Sequence, residues 1–301
     1  METKTHIALV TVPVYSHLRS ILEFTKTLVN LNQNIHVTCI NPTFGSSICN
    51  NVKTLFETLP SNINYMFLPP INLQDLPQDI HPALKVQATI YRSIPSIDDA
   101  LNTLDSSSKL VAVVSDGLIT QVLQLAKKLN ILAYSYFPST TMLLSLCLHS
   151  SNLDKTISSE YKDLLEPLEI PGCIPIHSTD LPDPMQDRSG EAYKVFLEAW
   201  PLFAEQKMNA ALLSDGLKVA IRPKVNEKGI VEREEIVKVV KNLMVGEEGK
   251  GIRERMEKLK GDAIDALKEN GSSTRTLTQL AFKWESLGSH LGTYNDSRLG
   301  L

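Results

Sequence analysis

Two polar residues in the first half of the chain have the types and the sequence context that proton transfer needs. His17 follows a short apolar run, residues 6–12, and Asp116 ends the apolar run LVAVVSD, residues 110–116. A carboxylate that is hydrogen-bonded to an imidazole fixes the imidazole tautomer and raises its basicity, so the pair could remove a proton from a hydroxyl group. The structural alternatives are that His17 caps or packs a helix start and that Asp116 caps the next helix. Spacing alone leaves these alternatives open.

The segments around this pair alternate between strand-like and helix-like patterns. Strand-like runs occupy residues 6–12, 35–40, 63–69, 110–116 and 131–137, with helical spacing of apolar residues between them. This alternation predicts an α/β fold with a doubly wound parallel sheet. Ligands of such sheets bind beyond the carboxyl ends of the strands, where both His17 and Asp116 would project. The turn TVPVYSH has no glycine, which argues against an NAD-dependent dehydrogenase.

Composition excludes several classes of function. The chain has 301 residues, of which 43% are apolar and 21% charged, and its length is typical of about two domains. A net charge of −4 argues against nucleic acid or an anionic membrane surface as a partner. Four cysteines without CxxC spacing predict buried thiols and no metal site. With no signal-peptide pattern and no apolar run of about 18 residues, we expect a cytoplasmic protein without a membrane span.

The second half of the chain follows a different pattern. Residues 160–190 are rich in proline and predict an extended connection between domains. Helices are predicted over residues 203–214, 232–244 and 252–267, with a last helix from Ser273 or Thr274 to Gly288. One short strand, KVAIRP at residues 218–223, stands among them. A lone strand has no sheet to pair with, and no glycine-rich turn could cradle a phosphate, so part of an α/β domain is missing.

Several segments together resemble the plant family 1 UDP-glycosyltransferases, which move a sugar from a UDP-sugar to small lipophilic acceptors. PVYSHL is similar to that family's catalytic-histidine loop, and VVSDGLITQVLQLAKKLNI to its catalytic-aspartate segment. FPSTTMLLSLCLH and PGCIPIHSTDLPDPMQDR resemble the branch that glucosylates simple phenols and phenylpropanoids. WPLFAEQKMNA is similar to the end of the donor-binding signature, and GSSTRTLTQLAFKWESL to the C-terminus of the family. The resemblance covers nearly the whole chain.

This resemblance implies a GT-B type fold and a function. Residues 1–190 would form a near-complete, Rossmann-like acceptor-binding domain with its linker. Residues 191–301 would form a truncated, mostly helical remnant of the UDP-sugar-binding domain. His17 would act as the general base and Asp116 as its partner in an inverting transfer of glucose to a phenolic acceptor. UDP-glucose is then a co-substrate, no cofactor or metal is implied, and we expect a monomer if the chain folds.

The resemblance also assigns binding residues. Glu205 and Gln206 match the acidic–glutamine pair that contacts sugar hydroxyls, and Trp200 precedes them. The alternative for that pair is an ordinary first turn of a helix, where glutamate is favoured. Ser16 stands where the family usually has glycine, and it could still cap the helix. The candidates for the acceptor pocket are Tyr15, Ser16, Phe137 and Thr140.

The departures from the family pattern concern the donor site. The Trp-Ala-Pro-Gln and His-Cys-Gly-Trp-Asn-Ser segments, which hold the nucleotide, are absent, and Trp200 and Trp284 are the only tryptophans. We therefore predict an internal deletion with its join near Ala199–Trp200, no glucose transfer by this chain, and exposed apolar faces on the remaining helices. The alternative is a non-catalytic variant, or a gene-model error, whose acceptor pocket still binds phenols.

Overall fold

A parallel β-sheet organises the first half of the chain. The structure is a computed structural model that describes residues 5–43, 50–77, 80, 82–108, 110–199 and 206–295. The sheet has five strands in the order β3-β2-β1-β4-β5, all parallel. These strands are β1 (Thr5–Val10), β2 (Ile35–Asn41), β3 (Ile63–Phe67), β4 (Leu110–Asp116) and β5 (Leu132–Tyr136). The α/β class and the doubly wound parallel sheet predicted from the sequence are confirmed.

Helices connect the strands and make up most of the rest of the chain. The first four helices are α1 (Tyr15–Leu31), α2 (Asn50–Glu57), α3 (Pro82–Ser107) and α4 (Gln121–Lys128). The others are α5 (Thr141–Thr156), α6 (Glu191–Ala199), α7 (Gln206–Ala211), α8 (Arg233–Val245), α9 (Glu247–Leu267) and α10 (Ser272–Asn295). Three short 3-10 helices lie between α5 and α6, and a π-helical turn, Leu212–Gly216, follows α7.

The chain divides into two compact units. The first unit combines residues 1–138 with residues 275–301, and the second unit is residues 139–274. This division follows contacts in space and differs from the predicted boundary between residues 190 and 191. The assignment of residues 1–190 to acceptor binding and residues 191–301 to donor binding therefore stays a prediction.

The core of the first unit explains why the first five residues of the interior strand β4 are all apolar. All seven residues of β4 are buried, as expected for a parallel strand covered on both faces. On one face, Ile7 of β1 and Val114 of β4 pack with Leu18 and Ile21 of α1. Burial of these side chains, at about 25 cal/mol per Å² of apolar surface, fixes α1 against the sheet.

Helix α10 completes this core from the far end of the sequence. Trp284 is fully buried, and its ring lies edge-on to the ring of Tyr134 with the centroids 5.2 Å apart. Glu285 accepts hydrogen bonds from the side-chain amides of Asn32 and Asn34, each at 2.7 Å. These two amides, with Asn34 the larger contributor, lower the pKa of the Glu285 carboxyl. The first unit is therefore closed by a helix that begins after residue 271.

The predicted end of the last helix at Gly288 is wrong, because α10 continues to Asn295. Gly288 does not end the helix but allows α10 to pack closely against β1. A Cβ atom at this position would overlap the side chain of Thr5 at the start of β1. The absence of a side chain thus lets α10 approach the sheet at this point.

The second unit contains the predicted helices but not the predicted strand. Residues 218–223 have no ladder pairing and begin with Lys218 at a positive φ of 55°, so the prediction of a strand there is wrong. Among the described residues of this unit, the β-type pairing is limited to one isolated antiparallel bridge between Leu168 and Ile176. A strand exists only where a neighbour satisfies its backbone N–H and C=O groups, and among the described residues no such neighbour lies beside KVAIRP.

The proline-rich connection in the second unit is held by one arginine. Arg188 Nη2 donates to Asp154 Oδ1 at 2.8 Å, and its guanidinium lies over the ring of Tyr161 at 4.9 Å from the centroid. Tyr193, in α6, donates to the same carboxylate oxygen at 2.7 Å. The Arg188 hydrogen bond is the main reason that the pKa of Asp154 is lowered. This cluster joins the end of α5 to the start of α6.

Helices α8 and α9 expose many apolar side chains, as predicted for the remaining helices, although Ile252 of the predicted α9 face is buried. No residue of α8 is buried. The exposed apolar side chains of the two helices are Ile236, Val237, Val240, Leu243, Met244, Val245, Met256, Ile264 and Leu267. Within the described residues, no helix has both the length and the apolar character needed to cross a membrane.

A half-buried histidine in β1, His6, should make the stability of the first unit depend on pH. His6 Nε2 lies 2.8 Å from Thr38 Oγ1, and burial, with a smaller contribution from His36, lowers the pKa of His6 from 6.5 to about 4. The folded state therefore binds fewer protons than the unfolded state between these values. We expect the free energy of unfolding to be highest above pH 6.5 and to fall by up to about 3 kcal/mol as the pH approaches 4.

Urea unfolding at pH 7.0 and pH 4.5 tests this dependence. His6→Gln should reduce the difference between the two pH values, since glutamine keeps a polar group near Thr38 but does not titrate. His177→Gln is the matched control, because His177 is exposed. Equal pH dependence in the wild type and in His6→Gln would contradict the prediction.

Candidate functional site

His17 lies in the first turn of α1, not in the loop that the sequence predicted. The helix begins at Tyr15, and Val14 occupies the cap position without a side-chain hydrogen bond. Ser16 is an exposed residue inside the helix, so it does not cap it as the sequence had allowed. The next residue, Leu18, is buried in the core and anchors this turn. The position of His17 is therefore set by a packed helix.

Asp116 is the last residue of β4, and its side chain is fully buried. Its Oδ1 accepts a hydrogen bond from the backbone N–H of Leu118 at 3.0 Å. Its backbone carbonyl accepts from the N–H of Ile119 at 2.9 Å. The carboxylate is thus held in one orientation by the turn that follows the strand, with Oδ2 left for another donor.

That donor is His17, although 99 residues separate it from Asp116 in the sequence. His17 Nδ1 lies 2.9 Å from Asp116 Oδ2, and the exposed fractions of the two side chains are 22% and 0%. An ionised carboxylate can only accept hydrogen bonds, so it selects the tautomer with the proton on Nδ1. His17 Nε2 then carries the lone pair and can accept a proton from a hydroxyl group.

The topology of the sheet explains why these two residues meet. The chain runs outward from β1 through β2 to β3 and then returns to form β4 on the other side of β1. The connections on the two sides of this switch point leave a crevice at the carboxyl ends of β1 and β4. His17 follows β1, Asp116 ends β4, and the two strands are paired at Val10 and Ser115. The sequence prediction that both project to this edge is consistent with their placement.

The residues predicted to line the acceptor pocket lie in different units of the fold. Tyr15 is 46% exposed and lies with Ser16 in the same helical turn as His17. Phe137 directly follows β5 and is half-buried. Thr140 belongs to the second unit, where its Oγ1 accepts from the N–H of Leu143 at 3.2 Å and caps α5. The hydroxyl of Thr140 thus has a structural role in this fold.

The predicted donor residues cannot be placed in the same way. Trp200 and Glu205, and with them the predicted join after Ala199, lie outside the described residues. Gln206 is the first residue of α7, and its side chain is likewise outside the described part. The sugar-binding role of Trp200, Glu205 and Gln206 stays a prediction. No group of three or more potential metal ligands occurs among the described residues.

Sequence reasoning missed the contact between Tyr136 and the helix that carries His17. The tyrosine hydroxyl lies 2.8 Å from the side-chain oxygen of Ser20. Alternation in ILAYSYF shows that Tyr134 and Tyr136 share one face of β5. It does not show which helix covers that face, because α1 and β5 are more than one hundred residues apart.

Two curated relatives match 95% of the chain. No protein-family model matches the chain. The hydroquinone glucosyltransferase of Rauvolfia serpentina is 30% identical over 467 residues, which cover 95% of this chain and 99% of the relative. UDP-glycosyltransferase 72B1 of Arabidopsis thaliana is 25% identical over 469 residues, with 95% and 97% coverage.

Solved structures with the same fold agree with these relatives. Phytolacca americana UGT2, in complex with UDP-2-fluoro-glucose and pterostilbene, has a TM-score of 0.88 and 26% identity and covers 93% of this chain. The match covers 99% of that structure. A UDP-glucosyltransferase from Polygonum tinctorium that glucosylates indoxyl has a TM-score of 0.87 and 25% identity, with 95% and 100% coverage.

The lengths of these matches show that the chain lacks interior positions. The alignment with the Rauvolfia serpentina enzyme spans 467 positions, at least 166 more than the 301 residues of this chain. Because the alignment reaches nearly both ends of the relative, the unmatched positions lie within the aligned span. The predicted internal deletion is therefore confirmed, while its exact position near Ala199–Trp200 stays a prediction.

Proposed function

Because the chain belongs to the plant family 1 UDP-glycosyltransferases, we propose that its first unit binds a small phenol beside His17 but that the chain does not transfer glucose to it. Members of this family are UDP-dependent hexosyltransferases. The observation that supports the proposal most strongly is the 2.9 Å hydrogen bond between His17 Nδ1 and Asp116 Oδ2. This hydrogen bond supports a role for His17 as the base that activates the acceptor hydroxyl. The missing interior positions belong to the part of the family fold that binds the UDP-sugar donor.

The chemistry assigned to the pair follows from proton affinities. A phenol has a pKa of about 10, so at neutral pH its oxygen is a weak nucleophile until a base takes its proton. His17 Nε2 is that base, and the buried Asp116 carboxylate stabilises the imidazolium that forms. In a complete enzyme the phenol oxygen then attacks the anomeric carbon of glucose from the side opposite UDP. The bond from that carbon to UDP breaks, UDP leaves with the electron pair, and the configuration inverts.

The relatives support a phenolic acceptor and UDP-glucose as the co-substrate of the family reaction. One relative is a hydroquinone glucosyltransferase, and one structural neighbour is a complex with pterostilbene, which is also a phenol. The exposed Tyr15 and the half-buried Phe137 offer aromatic surface for such a ring. We assign these two residues, together with Ser16, to the acceptor pocket.

This chain differs from its relatives in the binding site for the UDP-sugar donor. A UDP diphosphate depends on charge-assisted hydrogen bonds, each worth about 1.5–3 kcal/mol. The segments that hold the nucleotide in the family are absent from the sequence. Glu205 and Gln206 retain the sugar-contacting end of the signature, but the sugar hydroxyls alone cannot replace the nucleotide contacts. We therefore expect binding of phenols without measurable binding of UDP.

Calorimetric titration of the full chain tests this proposal. Hydroquinone and pterostilbene are expected to bind saturably, and UDP to give no heat of binding. His17→Ala should weaken phenol binding about 2- to 10-fold, because it removes one hydrogen bond to the ligand. His177→Ala, at an exposed site, is the matched control and should bind like the wild type. Absence of saturable phenol binding to the folded wild-type chain would refute the proposal.

A further inference from the structure

Tyr136, at the end of β5, contacts both elements that carry the pair His17 and Asp116. Its position in the sheet is opposite Asp116, with which it is paired in the register of β4 and β5. Its backbone carbonyl accepts a hydrogen bond from the N–H of Gly117 at 2.8 Å. The backbone of Tyr136 therefore fixes the end of β4 and the start of the turn that orients the carboxylate.

The side chain of the same residue reaches α1. The Tyr136 hydroxyl lies 2.8 Å from Ser20 Oγ and donates to the Ser20 carbonyl at 3.3 Å. Its ring lies against the ring of Phe24, with the centroids 5.2 Å apart. Ser20 is three residues after His17 and so lies close to the same side of the helix, one turn further along. The hydroxyl thus holds the helical turn next to the one that carries the imidazole.

These contacts matter because the hydrogen bond between His17 and Asp116 forms only within a narrow range of distances. An N–H···O hydrogen bond needs a donor–acceptor distance of 2.7–3.2 Å, so a small displacement of α1 would break it. The apolar residues Leu18 and Ile21 also hold α1 to the sheet, but apolar packing is non-directional and fixes neither the rotation nor the slide of a helix as closely as a hydrogen bond.

We propose that Tyr136 is a positioning residue, whose hydroxyl fixes α1 against the end of β4 and so keeps His17 Nδ1 hydrogen-bonded to Asp116. This inference rests on the proposed function, since the pair matters as the base for the phenol. Tyr136 itself does not touch the phenol in this role. It acts through the orientation and the tautomer of the imidazole.

The tautomer of His17 gives a readout that a merely structural role would not change. Nitrogen NMR of the full chain with ¹⁵N-labelled histidine, recorded at pH 8, distinguishes a ring protonated at Nδ1 from one protonated at Nε2. In the wild type, His17 should be protonated at Nδ1, and the exposed His177 provides the internal reference for an unpaired ring. Tyr136→Phe keeps the aromatic ring and removes the hydroxyl. It should increase the unpaired population of His17 about 2- to 10-fold, as expected for the loss of one hydrogen bond.

The matched control is Tyr134→Phe. Tyr134 lies two residues earlier on the same face of β5, and its hydroxyl makes no hydrogen bond in the described part of the chain. This variant should leave the His17 signals unchanged. Ser20→Ala removes the Oγ partner of the Tyr136 hydroxyl but keeps the Ser20 carbonyl, so it should shift the His17 signals in the same direction and less than Tyr136→Phe. It serves as the second variant if Tyr136→Phe does not fold. The effects of the two substitutions should not add in the double variant, because they break the same interaction.

The outcomes separate this inference from the proposed function. Unchanged His17 signals in folded Tyr136→Phe and in Ser20→Ala, with a paired His17 in the wild type, would overturn the positioning role alone. A wild-type His17 that resembles His177 would show that the pair does not form, and it would overturn both. A shift in Tyr136→Phe that Tyr134→Phe does not reproduce supports the inference.

Discussion

Glucose transfer from UDP-glucose to hydroquinone should be undetectable with this chain and should appear when its missing interior positions are restored. The restored variant carries the corresponding interior segment of the Rauvolfia serpentina hydroquinone glucosyltransferase, inserted between Ala199 and Trp200. The relative spans at least 166 alignment positions more than this chain, so the insert is the size of a whole domain core. Product formation measured by chromatography gives the result.

The expected effect is large because transfer needs both substrates in one site. Holding two reactants in the correct geometry contributes about 7–11 kcal/mol, which corresponds to about 10⁵- to 10⁸-fold in rate. Without the donor-binding segments, we expect no sugar to be held beside His17 and Asp116. A restored sheet would also cover the exposed apolar side chains of α8 and α9, including Val240 and Met256.

The control for this experiment is a substitution of the proposed general base, His17. In the restored variant, His17→Ala should reduce the rate about 10²- to 10⁴-fold, the usual contribution of a general base. His177→Ala in the same background should keep the rate. Transfer by the original chain that disappears with His17→Ala would contradict the prediction, since it would show that the donor binds without the missing positions.

The second large effect is expected in the stability of the first unit. Trp284→Ala should lower its free energy of unfolding by about 3–5 kcal/mol. Trp284 is fully buried between α10 and the sheet, and its ring contacts the ring of Tyr134 edge-on. Its indole N–H has no hydrogen-bond partner in the described part of the chain, so the loss comes from packing and from the cavity that remains.

Urea unfolding followed by circular dichroism measures this loss. Phe282→Ala is the matched control, because Phe282 is an aromatic residue of the same helix that is 58% exposed. It should change the free energy of unfolding by no more than about 0.5 kcal/mol. A Trp284→Ala variant that unfolds with nearly wild-type stability would mean that α10 does not contribute to the core of the first unit.

Local patterns predicted the parallel sheet well because its strands are short and apolar and are separated by helices. The run LVAVVSD is apolar on both faces, which in a parallel sheet favours an interior position, and β4 is indeed an interior, buried strand. The prediction for KVAIRP failed for the opposite reason. Its composition favours a strand, but a strand also needs a neighbour, and no strand of the described residues pairs with it.

The sequence by itself determined the residue types of the candidate site, their order and the absence of the donor-binding segments. His17 follows the first strand and Asp116 ends the fourth, and these placements are fixed by covalent connectivity and local periodicity. Only the tertiary structure decided that the two side chains meet at 2.9 Å, that Tyr136 contacts both of their elements and that Trp284 closes the core. The contacts of His17 with Asp116, of Tyr136 with Ser20 and of Trp284 with Tyr134 each join residues more than ninety positions apart. Local periodicity carries no information about such distances, because they are set by the packing of whole helices against the sheet.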